Sequence, residues 1–306
     1  MASPAPPPVT GASAARAASV GPGAARAAAT HAEAVGARLP PLVVQAERVA
    51  MTVMQGVHGR RRSGQGDAFW QFRPFLPGDS ASRVDWRQSA RSDRLFIRET
   101  EWEAAQTVAL WRDGSPSMQW RSTLATSEKS ERADLLLLAL AALLLRGGER
   151  VRLLNPNSRS LAGRSALERL AEALPRSAGP PEDPALPRHA RVVLFGDFLA
   201  PLPEVAKMVG SLAARPVRGH LVQVMDPAEE TLPFAGRVRF EGMEQEEPTI
   251  VPRVEGIRAL YAERLAAHRD GLAAIASAAG WTFARHRTDH PPEAALLALH
   301  QVLAPE

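Results

Sequence analysis

The sequence predicts an α/β fold: a doubly wound, mostly parallel sheet preceded by a small β-rich layer. Three observations predict it. From residue 107 onward, short apolar runs alternate with longer segments of helical spacing, the pattern of βα units. Runs such as Val192-Val193-Leu194-Phe195 are apolar without alternation, as strands buried on both faces must be. The segment 128–146 is apolar nearly all round, so its helix belongs against a sheet rather than at the surface.

The elements follow in order. Residues 1–22 are low-complexity Ala/Pro/Gly/Ser and predict a disordered tail. Residues 23–55 predict a helical segment. Ala dominates 24–38, Pro40-Pro41 interrupts, and Leu42, Val43, Ala46, Val49, Ala50 and Val53 then stand at helical spacing, an amphipathic helix for docking on the body. Residues 56–105 are rich in Gly, Pro, Arg and aromatics, which predicts short strands and tight turns. Residues 106–306 carry the main domain, with strands predicted at 107–112, 149–154, 191–196, 219–225 and 281–286. Helices are predicted at 128–146, 165–175, 203–214, 254–279 and 292–303. The Pro-rich 175–187 reads as a surface linker and 227–253 as an irregular excursion.

Composition narrows the chemistry. The absence of cysteine excludes disulfides and thiolate metal sites. The chain has 37 basic residues, yet Lys129 and Lys207 are its only lysines, an arginine bias that reads as base composition. Residues 1–100 hold 13 Arg against 7 acidic residues, so the positive excess lies there. The longest apolar run, Leu135 to Leu145, falls short of the roughly 20 residues that span a bilayer. The N-terminus lacks the basic start and apolar core of a signal peptide. The expectation is a cytoplasmic protein.

The functional centre is expected where the 107–112 strand ends. Asp113, Ser115 and Ser117 follow it at alternate positions, with Pro116 stiffening the turn, and offer hard oxygens to a divalent cation. In a doubly wound sheet the 191–196 strand returns beside the 107–112 strand, so Asp197 should face Asp113 across the switch point. A buried carboxylate pair is costly alone, which calls for Mg²⁺ or a paired Arg.

The order Asp113-x-Ser115-x-Ser117 followed by Asp197 resembles the metal-ion-dependent adhesion site of von Willebrand factor A domains, a Rossmann-like fold. Two further stretches are more specific. One runs Phe69…Arg73…Pro77-Gly78-Asp79…Arg83-Val84-Asp85-Trp86-Arg87…Ser89-Ala90-Arg91…Arg98-Glu99. The other runs Asp226-Pro227-Ala228-Glu229-Glu230…Leu232-Pro233-Phe234…Gly236-Arg237…Phe240. Both resemble the bacterial domain-of-unknown-function family fifty-eight, over roughly residues 40–303. The resemblance implies a non-enzymatic interaction module, an adaptor of a MoxR-type AAA+ ATPase that holds a partner carboxylate through bound Mg²⁺, with Mn²⁺ as the alternative. It implies Asp113, Ser115, Ser117 and Asp197 as metal ligands and Arg73, Asp79, Asp85, Arg87 and Arg91 as partner contacts. The adhesion site usually adds a Thr from another loop. None stands between 150 and 190, where Ser165 and Ser160 are the nearest hydroxyls, and Ser165 also reads as a helix N-cap with Glu168 three residues on.

Two other classes were weighed on the residues. A phosphoester hydrolase using Asp113, Asp197 and Asp226 lacks a second carboxylate beside Asp113, a nearby His base and a phosphate-cradling Gly loop. Nucleic-acid binding by the Arg-rich 58–98 stretch is opposed by its interspersed acids, which instead predict Arg pairing with Asp79, Asp85, Asp93 and Glu99. His58 reads as a turn residue. Asp226, Glu229 and Glu230 read as an acidic patch at the sheet edge, with Asp226 structural. Arg285 to His290 reads as a solvated strand end.

Overall fold

Five short segments pair as one parallel sheet, those at 107–112 and 191–196 buried nearly throughout and that at 282–287 largely exposed. The computed structural model describes residues 41–55, 69–76, 84–91, 94–100, 106–156, 158–163, 165–176, 179–182, 185–243 and 247–303. These lie in one unit, Leu39–Glu306. The expectations for residues 1–40, and for His58, Asp79 and Asp93, fall outside the described residues.

Helix α1 covers 41–55. Strands β1 (Phe69–Pro74) and β2 (Phe96–Thr100) pair antiparallel, with helix α2 (Trp86–Ser89) between them in sequence. The sheet then uses β3 (Thr107–Arg112), β4 (Arg150–Leu153), β5 (Arg191–Gly196), β6 (Arg218–Met225) and β9 (Thr282–Arg287). Its order is β4-β3-β5-β6-β9, all parallel. The chain leaves β3 outward to β4 and returns to β5 on the other side, so the winding reverses between β3 and β5.

The helices are α3 (Lys129–Arg146), α4 (Ala166–Ala173), α5 (Leu202–Ala213), α6 (Pro227–Thr231), α7 (Arg258–Ala278) and α8 (Pro292–Leu303). Strand alternation divides them into two layers. Val108, Leu110, Val193, Phe195, Val222 and Val224 face α1, α3, α4 and α8, whereas Ala109, Trp111, Val192, Leu194 and Leu221 face α5 and α7. Helix α3 starts with a capping box between Glu128 and Glu131, and Leu135 to Leu144 are all buried. It stops at Gly147, and Gly148 at φ 86° turns the chain into β4, a backbone position that favours glycine.

Residues 227–253 are not an irregular excursion. Asp226 caps α6, with Pro227 at its first position, and β7 (Val238–Phe240) pairs antiparallel with β8 (Thr249–Val251). Sequence periodicity is weak over a five-residue helix and two three-residue strands, which explains the difference. A 3-10 turn, Val254–Gly256, precedes α7.

Candidate cation-binding crevice

The crevice is built by the ends of β3 and β5 and closed by the starts of α3 and α6. Asp113 extends the ladder one residue past β3, its N–H donating to the Phe195 carbonyl at 2.7 Å. Glycine at 196 permits this approach: a Cβ there would stand 3.0 Å from the Asp113 Cβ and 3.3 Å from its Oδ2. The Asp113 Oδ1 accepts the Ser115 N–H at 2.8 Å, folding the chain back into the 3-10 turn Pro116–Met118, which buried Met118 anchors. Ser115 Oγ and Ser117 Oγ lie 3.0 Å apart, and Ser117 donates to Asp197 Oδ2 at 2.9 Å.

Asp197 is 3% exposed and held from several directions. Its Oδ1 accepts the Leu199 N–H at 3.3 Å and its carbonyl accepts from Gln223 Nε2 at 2.9 Å. Gln223 in turn accepts from Arg269 Nε at 2.9 Å, and Arg269 also binds Glu230. The charge partner of Asp197 is lysine, not the arginine that the sequence suggested. Lys129 is 0% exposed, and its Nζ donates to Asp197 Oδ2 at 2.9 Å and to Glu229 Oε1 at 2.5 Å. A compact ammonium on a four-carbon stem fits this enclosed position, whereas a planar guanidinium is wider. Burial alone would lower the lysine pKa, but Asp197 and Glu229 outweigh it and hold it above the ordinary value. Lys129 is therefore charged at neutral pH.

Asp226 is structural. Its carboxylate accepts from Ala228 N and from Ser122 N, each at 2.8 Å, capping α6 and tying down the loop after the Ser117 turn. Glu229 Oε2 accepts the Asp226 N–H at 3.0 Å, and the Tyr261 hydroxyl donates to the Glu229 carbonyl. The three acids thus form no bare patch. Glu229 pairs with Lys129, and Glu230 pairs with Arg269 and, at 3.6 Å, Arg287.

The end of β9 is solvated only in part: Arg285, Asp289 and His290 are exposed, but His286 and Thr288 are buried. His286 is buried, with Nε2 3.4 Å from Arg132 Nη1, and burial together with Arg132 lowers its pKa to about 4. Arg132 Nη1 also donates to the His290 carbonyl at 2.6 Å. Asp85 caps α2 through Gln88 N at 2.9 Å, which departs from the expected role as an Arg partner. Arg87 and Arg91 are exposed, and Arg73 stands on β1 opposite Ile97. Ser165 occupies the N-cap of α4 without a side-chain capping bond, and Ser160 is exposed.

The donor set of the crevice suits a divalent cation. Among the described residues there is no cluster of three or more His, Cys, Asp or Glu that would hold a metal; the donors here are two carboxylates and two hydroxyls. The 3.0 Å Ser115–Ser117 and 2.9 Å Ser117–Asp197 separations are hydrogen bonds, and they hold three oxygens together in one small volume.

Sequence comparison adds the family. Residues 71–271 match the family described as "Protein of unknown function DUF58", from within β1 through most of α7, with every crevice residue inside. The chain belongs to that family. Uncharacterized members from Mycobacterium tuberculosis and Mycobacterium bovis are each 26% identical over 259 residues, 78% of this chain and 80% of theirs. Among solved structures, it is similar to the conserved hypothetical protein BatB from Bacteroides thetaiotaomicron, at 13% identity and TM-score 0.33 over 65% of this chain and 98% of that one. An aerotolerance-related membrane protein from Bacteroides fragilis matches at 14% identity and TM-score 0.34, over 64% and 98%. An uncharacterized membrane spanning protein from Vibrio fischeri matches at 14% identity and TM-score 0.18, over 66% and 98%. The architecture above therefore rests on this chain's own strand order and register. The cytoplasmic expectation is withdrawn: two of these neighbours are described as membrane proteins, and no compartment is assigned to this chain. No helix among the described residues is long and apolar enough to cross a membrane, and that observation assigns no compartment.

Proposed function

We propose that this family member is a non-enzymatic protein-interaction module of von Willebrand A-like design, whose crevice binds Mg²⁺ and through it a carboxylate of a partner protein. The observation that carries the reading is the convergence of Ser115, Ser117 and Asp197 oxygens beside Asp113, at the strand ends where the winding reverses. Bound there, the ion supplies an open coordination position that an outside Asp or Glu can fill. Asp113, Ser115, Ser117 and Asp197 hold it, Gly196 sets the approach of the two strand ends, and Asp226 fixes the loop that follows. We read binding rather than turnover because His286, which faces Arg132 at the start of α3, is buried with its pKa lowered to about 4, which makes it a weak base. The partner we infer is a MoxR-type AAA+ ATPase, on the strength of the family resemblance.

Calorimetric titration of Mg²⁺ and Mn²⁺ into the wild type, Asp113→Ala and Ser115→Ala tests the site. Saturable binding in the wild type that both variants lose is the expected result. Its absence from the wild type would sink the metal reading. Capture of the ATPase in Mg²⁺ but not in EDTA tests the partner, and equal capture in both would remove the ion from recognition.

A further inference from the structure

We propose that the cleft at the carboxyl end of β4 is a second recognition site for the partner protein, taking an apolar side chain and a neighbouring acid from the segment whose carboxylate reaches the crevice. This deepens the interaction reading and rests on it for the first anchor, while the cleft is built from residues outside the ligand set.

Space comes first. A cleft of about 610 Å³ opens beside β4, within the roughly 300–1,000 Å³ of ligand-sized pockets. Its lining includes Leu153 and Leu170, buried members of the core layer around α3, and Leu161 and Ala173, which are only half-buried against that layer. The core thus leaves apolar surface open here. The walls are fixed before anything binds. Buried Arg152 donates to the Ser158 carbonyl at 2.7 Å and to the Ala185 carbonyl at 3.2 Å. The Leu153 N–H donates to Ser158 Oγ at 3.0 Å, and Leu161 is hydrogen-bonded to Val151.

Charge gives the ligand its class. Arg159, from the turn after β4, and Arg169, on α4, are exposed at the cleft, and among the described residues neither guanidinium has an ionic partner. Two such guanidiniums beside an apolar lining select a carboxylate attached to an apolar body. Glu182, from the segment after α4, repels that carboxylate from its own side and gives the ligand one orientation. Position links cleft and crevice. Strands β3 and β4 are neighbours, the Leu154 N–H donating to the Leu110 carbonyl at 2.8 Å. The indole N–H of Trp111, just before Arg112 and Asp113, donates to the carbonyl of Gly179 in the cleft wall at 2.8 Å. Adjacent strands lie about 4.8 Å apart and an extended chain advances about 3.3 Å per residue. A partner segment with one acid at the crevice therefore reaches the cleft within about two to four residues.

The test uses the full chain in Mg²⁺ and reads fluorescence anisotropy of labelled synthetic peptides. Each peptide sets an Asp one, two or three glycines from a Leu-Glu pair, in either chain direction, with control peptides in which Leu becomes Ser, Glu becomes Gln or Asp becomes Asn. The proteins are the wild type, Arg159→Gln, Arg169→Gln, Glu182→Gln and Ser115→Ala, with folding checked by circular dichroism and Mg²⁺ binding by calorimetry. Changing Leu to Ser is expected to weaken the best-spaced peptide about tenfold. Changing Glu to Gln should weaken it about fivefold. Each arginine variant should weaken the Glu peptide by about the same factor while barely moving the Gln peptide, a coupling that a merely structural change does not produce. Glu182→Gln should tighten the Glu peptide about threefold, and Mg²⁺ binding should be unchanged in these three variants. Peptides that fail to bind, or bind without regard to Leu, Glu or the arginines, while the wild type still binds Mg²⁺, would overturn the cleft and leave the crevice reading intact. No Mg²⁺ binding by the wild type, or peptide binding that is the same in EDTA and in Ser115→Ala, would end both.

Discussion

Glycine 219 offers a sharp test of the fold because two principles give opposite signs for its replacement. A glycine within a strand loses more backbone freedom on folding than alanine, so Gly219→Ala at an open site would stabilise by up to about 1 kcal/mol. This site is not open. Gly219 lies in β6, whose register with β9 pairs His220 with Thr282, so the residue before that pair on β9 is Trp281. A Cβ on Gly219 would stand 2.0, 2.2 and 2.3 Å from Trp281 Cδ2, Cε3 and Cε2, within the face of the indole. Carbon atoms rest about 3.5–4.0 Å apart, so ring or strand must move by roughly 1.5 Å. The ring is 4% exposed and its backbone N–H is tied to the Ala276 carbonyl at 2.8 Å, in a turn set by Gly280 at φ 70°. Its own indole N–H finds no acceptor among the described residues, so packing alone positions it. Overpacking of this kind costs about 1–3 kcal/mol, and the shared backbone argues for about 3 kcal/mol or more. Urea unfolding followed by circular dichroism reads this as a lower midpoint at constant slope. In a Trp281→Ala background the same change should become neutral or stabilising, a reversal that a generic glycine effect cannot produce. A Gly219→Ala protein within about 0.5 kcal/mol of wild type would refute the packing of β9 against β6 described here.

Other expectations follow from burial and capping. Burial, first, and then Arg191 lower the pKa of His220 to about 4, and burial and Arg132 do the same for His286. Below pH 6.5 the unfolded histidines take up protons that the folded ones refuse until about pH 4, so stability should fall across that window as pH drops, by roughly 3 kcal/mol for each. Denaturant midpoints of His220→Gln and His286→Gln measured from pH 7 to pH 4 should each show a flatter dependence, and an unaltered slope would contradict the burial of these rings. Asp226→Ala removes the cap of α6 and the anchor of Ser122, and should cost about 1–3 kcal/mol; faster proteolysis between 119 and 127 would report loss of the anchor. Leu137→Ala in the fully buried face of α3 should cost about 2–5 kcal/mol, and a thermal shift too small to measure would contradict that burial.

The central strands were legible because burial on two faces writes itself as apolar runs: β3 and β5 begin and end where the sequence places them, while β4, β6 and β9, which carry charged residues, differ by a residue at their ends. That Asp113 and Asp197 follow neighbouring strands was legible from the order of strands and helices. Lys129 was not. At the first turn of an apolar helix it reads as a solvated helix start, and its partners lie 68 and 100 residues away. Its rarity was a weak signal, because the other lysine, Lys207, is exposed on α5. Glu229 was hidden in the same way, within a run of acids that looks like surface until α6 turns one of them inward.

An open parallel sheet has two edges, and each edge is a template on which a second chain could add a strand. Here they are treated differently. Along β4 the chain folds its own Leu161 back onto Val151, with hydrogen bonds of 3.0 and 2.7 Å in the two directions, so the middle of that strand has no backbone groups left to offer. Along β9, the outermost strand among the described residues, Arg285 is exposed while Arg287 is paired with Asp289 and Glu230 and His286 is buried. The consequence is colloidal: crowding many copies of this protein need not seed fibrous stacking, because growth by strand addition needs both edges and one is already occupied.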